Sequence, residues 1–94
     1  MTAAAAGSAL AGRLTSATVP ELLARLAPQL KSGAALALDL SGVEYADSAG
    51  VSLLLELRRR AQAAGATLSY AGAPEQLRKL TRYFGVDALL GLGH

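Results

Sequence analysis

Cysteine is absent from the 94 residues, which excludes disulfides and thiolate chemistry and removes the usual structural zinc sites. Aromatics are scarce, at 4% of the chain, although hydrophobic residues make up 52% of it. Alanine and leucine carry that apolar content, which favours helices packed on a small sheet over a β-sandwich rich in β-branched and aromatic side chains. No apolar run reaches the roughly 18 to 20 residues of a membrane span. The start, MTAAAAGSALAGR, lacks the basic segment and long apolar stretch of a signal peptide, so the chain is expected to stay in the compartment where it is made. Histidine occurs once, as His94 at the very end. A net charge of +2 spread along the chain, without interleaved aromatics, does not make a nucleic-acid footprint.

What is present reads as one domain over residues 1–94. Residues 1–7 are Ala-rich and either stay loose or lead into a short first strand around Ser8 to Ala11. Thr18-Val19-Pro20-Glu21 has the spacing of a capping box with proline in the first turn, and Leu22, Leu23, Leu26 and Leu30 follow at helical intervals. Pro28 should shorten that helix, and Ser32-Gly33 should close it. ALALDL, Ala35 to Leu40, is the length of a strand and nearly all apolar, as a central strand covered on both faces would be; Ser41-Gly42 reads as the turn after it.

A second helix is expected to open at Asp47-Ser48 and to end at Gly65. Val51, Leu54, Leu55 and Ala61 form its apolar stripe, widened by Leu53 and Leu57; Ser52, Glu56, Arg59 and Ala63 lie on another. Thr67 to Ala71 reads as a strand with Leu68 and Tyr70 on one face. Pro74 starts a third helix that points Leu77, Leu80 and Phe84 inward and stops at Gly85. The order is β, α, β, α, β, α, an α/β domain.

The chemistry available is narrow. The carboxylates Asp39, Glu44, Asp47 and Glu56 show no metal-ligand spacing, no Gly-x-Ser-x-Gly elbow surrounds Ser48, and no phosphate-binding glycine loop occurs. His94 is poorly placed to act as a base for a serine. No cofactor, metal or catalytic residue is indicated, which points to recognition, not bond-making. The start of the second helix is the candidate site, because its first N–H groups lack intrahelical partners and carry partial positive charge. Two readings stay open there: Asp47 or Ser48 is a cap and nothing else, or Ser48 is an exposed hydroxyl that a partner reads and a kinase can modify.

The run LALDLSGVEYADSAGVSLLLELRRRAQAAGATLSYAGAPEQLRKLTRYFGVDALL resembles the STAS domain family. The ordered set carries the likeness: an apolar strand ending in Asp-Leu-Ser-x-Val, then Asp-Ser-x-Gly opening a helix, then a glycine and a further strand. It covers roughly Leu14 to Leu90. The resemblance implies a mixed sheet of about four strands flanked by helices, and a non-enzymatic regulatory subunit in the cytoplasm. The leucine-rich second helix and the LTRYFGVDALL end are most similar to the MlaB-like branch, the cytoplasmic STAS subunits of the Mla phospholipid-transport ABC system. That branch implies a partner, an MlaF-like ATPase subunit, bound through the face around Ser48. Asp47, Ala49, Gly50, Ser52 and Glu56 would flank Ser48 on that face, with Gly50 letting a partner backbone approach closely. The other similar branch, the SpoIIAA-like anti-sigma factor antagonists, implies an anti-sigma factor kinase as partner and phosphorylation at Ser48. The match to it departs at Ala49, where those proteins carry a second hydroxyl, and at Val51-Ser52.

Overall fold

A computed structural model describes residues 8–92. The expectations for residues 1–7 and for His94 lie outside them. The elements are β1 (Ala9–Leu14), α1 (Val19–Leu26) with a short 3-10 turn over Ala27–Gln29, β2 (Ala35–Ala46), α2 (Ser48–Ala64), β3 (Thr67–Ala71) and α3 (Glu75–Tyr83). Among the described residues the sheet has three strands in the order β1-β2-β3, and both pairings are parallel. The expected sheet of about four mixed strands is corrected accordingly: each consecutive pair of strands is joined through a helix, and such a crossover returns the chain in the same direction.

Both crossovers step the same way across the sheet. Crossovers of one hand taken in one direction place their helices on the same face. The burial of β2 agrees, since Leu36, Leu38 and Leu40 are buried while Ala35, Ala37 and Asp39 are exposed. ALALDL is thus central but covered on one face only. Its apolar appearance came from alanines at the open positions, small enough to stand in water at little cost.

Ser41-Gly42 does not turn the chain; β2 runs through it to Ala46. From Ala9↔Asp39 to Ala11↔Gly42, and again from Gly12↔Val43 to Arg13↔Tyr45, β2 advances one residue more than β1. These are bulges. They explain why the buried positions of β2 change from every second residue to every third, at Leu40, Val43 and Ala46. Asp39 Oδ1 accepts from the Ser41 N–H at 3.0 Å, satisfying a donor near the first bulge, and that bond holds the Asp39 carboxyl below its ordinary pKa. Gly42 fits because a Cβ there would stand 3.0 Å from the Ala11 Cβ.

The Thr18 capping box does not form. Thr18 has helical rather than extended backbone angles, and its hydroxyl donates to the Arg13 carbonyl at 2.6 Å and accepts from the Thr15 N–H at 3.0 Å. It ties the end of β1 to the following turn instead of capping α1. Pro28 does end α1 early, as its missing donor requires. The core lies between the sheet and the helices. Leu10, Leu14, Leu38, Leu40, Leu53, Leu54, Leu57 and Leu77 form its fully buried centre together with Leu26. Phe84, expected inward with Leu77 and Leu80, is 46% exposed. Phe84 keeps the helical register, its N–H donating to the Leu80 carbonyl at 3.1 Å, but as the C-cap it lies at the tip of α3, past the buried Leu77 and Thr81.

Candidate functional site

Strand β2 outruns β3. Their pairing stops at Asp39↔Ala71, whereas β2 continues along β1 to Ala46↔Leu14. A side chain covers the edge thus left bare. Gln76, in the first turn of α3, accepts from the Ala46 N–H at 3.1 Å and donates to the Ala46 carbonyl at 2.8 Å. Its amide takes the place of a neighbouring strand and fixes the last residue before the helix. The other edge is held by the Asp47 N–H, which donates to the Leu14 carbonyl at 3.2 Å.

From there the helix starts cleanly. Asp47 is extended, at φ −112° and ψ −164°, and its side chain accepts from the Ala49 N–H at 2.9 Å. This is the N-cap geometry, so Asp47 is the cap and Ser48 is the first helical residue. Ser48 is exposed and free of the capping role. Gly65 closes α2 in the left-handed conformation at φ 78°.

The residues named from the sequence separate at this point. Ser48 and Ser52 are exposed one turn apart, and Asp47 and Ala49 are half-buried beside them. Gly50 is buried, and its expected role in admitting a partner backbone is corrected. A Cβ there would stand 2.8 Å from the Leu14 Cβ, 2.9 Å from the Leu14 carbonyl oxygen and 3.0 Å from the Ala46 Cβ. The absent side chain lets α2 lie against the ends of β1 and β2, inside the molecule. Glu56 is bound by its own helix: Arg59 donates to it at 3.0 and 2.6 Å and Arg60 at 2.7 Å. The Arg59 bonds, then those of Arg60, hold its carboxyl down to about 2.

Leu55, expected on the buried stripe, is only half-buried. With Ser48, Val51 and Ser52 it forms one side of a slot of about 260 Å³, whose other side is Phe84 and Val86. Sequence reasoning missed Leu55, Phe84, Val86 and Gln76 as parts of this region. The local signal for Phe84 was Gly85, which ends the helix and so leaves Phe84 at its tip, beyond the buried part of the apolar stripe.

Elsewhere on α2, the Tyr70 hydroxyl donates to the Leu54 carbonyl at 2.8 Å, and burial pushes its pKa up. Among the described residues no group of three or more His, Cys, Asp or Glu is placed to hold a metal, and no helix is long and apolar enough to cross a membrane.

Three parallel strands joined through helices, with the helices packed on the sheet, define a small α/β domain. A family model described as the MlaB STAS domain matches residues 1–91, and the chain belongs to that STAS family. Domains of this kind are regulatory binding modules that work through protein–protein contacts. Among solved structures, the unphosphorylated form of the anti-sigma factor antagonist SpoIIAA is similar at a TM-score of 0.63 and 21% identity, over 80% of this chain and 70% of that one. At that identity the likeness speaks for the fold. No curated protein matches the sequence.

Proposed function

We propose that this chain is a non-enzymatic accessory subunit of MlaB type, which binds the ATPase of a phospholipid ABC transporter through the face around Ser48. The observation that carries the reading is the division of labour at the helix start. Asp47 caps the helix, so the adjacent Ser48 hydroxyl is left exposed beside an apolar slot. The family match supports the MlaB-type assignment. The site residues of the proposal are Ser48 and Ser52 with Asp47 and Ala49; Gly50 contributes from beneath by seating the helix. Such a subunit works on the cytoplasmic side, where the ATPase meets its nucleotide.

Co-purification tests this. The tagged chain should retain an ATPase subunit, and Ser48→Arg, which places a bulky charge on an exposed position, should release it while the thermal melt stays unchanged. An ATPase retained by Ser48→Arg refutes the face.

A second reading is favoured by the likeness to SpoIIAA and by the exposure of Ser48: an anti-sigma factor antagonist switched by phosphorylation. A phosphate on the first residue of α2 would meet the positive helix end but also the Asp47 carboxylate already there. Incubation with an anti-sigma factor kinase and ATP, followed by intact mass and fragmentation, should then show one phosphate on Ser48. An unmodified mass refutes that reading.

A further inference from the structure

The slot beside Ser48 indicates what kind of side chain fits it. Pockets for drug-sized ligands run to about 300–1,000 Å³, while about 150 Å³ holds a benzene-sized group. At about 260 Å³ the slot suits one large side chain. Its lining is aliphatic at Val51, Leu55 and Val86, aromatic at Phe84, and hydroxylic at the exposed Ser48 and Ser52. A purely apolar side chain would cover the two hydroxyls without giving them a partner. A long side chain with an apolar stem and a hydrogen-bonding head uses all three kinds of surface.

The charges that adjoin the slot set the sign of that head. Asp47 stands at its upper end, one turn before Val51, whose N–H donates to the Asp47 carbonyl at 3.3 Å. Only its Oδ1 is engaged in the cap. Asp87 follows Val86 on the opposite wall and is half-buried. Among the described residues neither carboxylate is in an ion pair, and Asp87 makes no side-chain hydrogen bond. The cations nearby do not offset them. Arg59, at the lower end, is held by Glu56 at 2.6 and 3.0 Å, which cancels its charge. Arg82 precedes Phe84 by two residues, about 200° of helix, so it lies on another side of α3.

We propose that the slot receives one arginine side chain of a partner protein. Its methylenes lie along Val51, Leu55 and Val86, its guanidinium meets the Phe84 ring and the serine hydroxyls, and Asp47 and Asp87 supply the opposite charge at the rim. Arginine suits the slot better than lysine, because its planar head stacks on an aromatic ring and presents its donors as a fixed fork. This rests on the reading that the face around Ser48 binds a protein, and it adds the chemistry of what binds.

Short end-capped glycine peptides with one central residue test it: arginine, its neutral isostere citrulline, or phenylalanine. Each is titrated into the full isotope-labelled chain and followed by amide NMR shifts. The arginine peptide should bind about tenfold tighter than the citrulline peptide, and tighter than the phenylalanine peptide, and added salt should weaken it. The shifts should localise to Ser48–Leu55 and Phe84–Asp87. Asp87→Asn should keep the circular-dichroism melt, weaken the arginine peptide about threefold and leave the citrulline peptide unchanged. Citrulline or phenylalanine binding as tightly as arginine, no saturable binding, or shifts elsewhere overturns the proposal. An ATPase captured equally by the unchanged chain and by Asp87→Lys refutes the slot and leaves the ATPase assignment standing. Peptide binding as expected with no ATPase captured refutes that assignment and leaves the slot standing.

Discussion

Gly50→Ala separates two roles for one glycine. If Gly50 served a partner's backbone, alanine would weaken binding and leave folding intact. The structure requires the reverse order of effects. The added Cβ would stand at 2.8, 2.9 and 3.0 Å from the Leu14 Cβ, the Leu14 carbonyl oxygen and the Ala46 Cβ. None of the three is the flexible end of a side chain, so relief requires α2 to move off the strand ends. Overpacking of this kind costs about 1–3 kcal/mol. Alanine's better helix propensity returns at most about 1 kcal/mol, and less in the first turn, where Gly50 sits. The net loss should be about 1–2 kcal/mol, because a contact below 3 Å with backbone belongs at the upper end of the overpacking range. For a chain of this size each kcal/mol lowers Tm by about 4–8 °C, so a fall of about 5–15 °C is expected. Thermal melts followed by circular dichroism measure it, and urea titration gives the same difference at constant slope. An alanine variant as stable as the unchanged chain would refute the account of how α2 is seated.

Asp47→Ala removes the cap while Ser48 remains, and should cost about 1 kcal/mol in urea unfolding, the usual worth of an N-cap. Were Ser48 the cap, Ser48→Ala would carry that cost instead. Gln76→Leu leaves the Ala46 N–H and carbonyl without the amide, with an expected loss of about 1–3 kcal/mol and faster hydrogen exchange at Ala46 than at Leu38. The Glu56 carboxyl should titrate near pH 2 by NMR, against an ordinary value of 4.5. Its folded pKa is depressed, so its contribution to stability is present above about pH 4.5 and is lost as pH falls toward 2. The effect should be small, because the pair is solvent-exposed, and Arg59→Ala with Arg60→Ala should return the midpoint toward the ordinary value.

What the sequence by itself determined is local. Asp before Ser at the head of a leucine-rich segment set the start of α2, Gly65 its end, and Pro28 and Pro74 the edges of α1 and α3, because each acts through its own backbone within a turn. The ordered motifs also sufficed to place the chain in its family. What only the tertiary structure decided depends on partners distant along the chain. Alanine reads the same on a covered and an open face, so the one-sided sheet was not legible in ALALDL. Ser41-Gly42 has the composition of a turn, and pairing with β1 made it a bulge. Gly50 became a packing residue through Leu14, 36 positions earlier, and Gln76 became a clamp through Ala46, 30 positions earlier. The slot beside Ser48 exists because the end of α3 comes to rest against α2, and spacing within either helix carries no record of that contact.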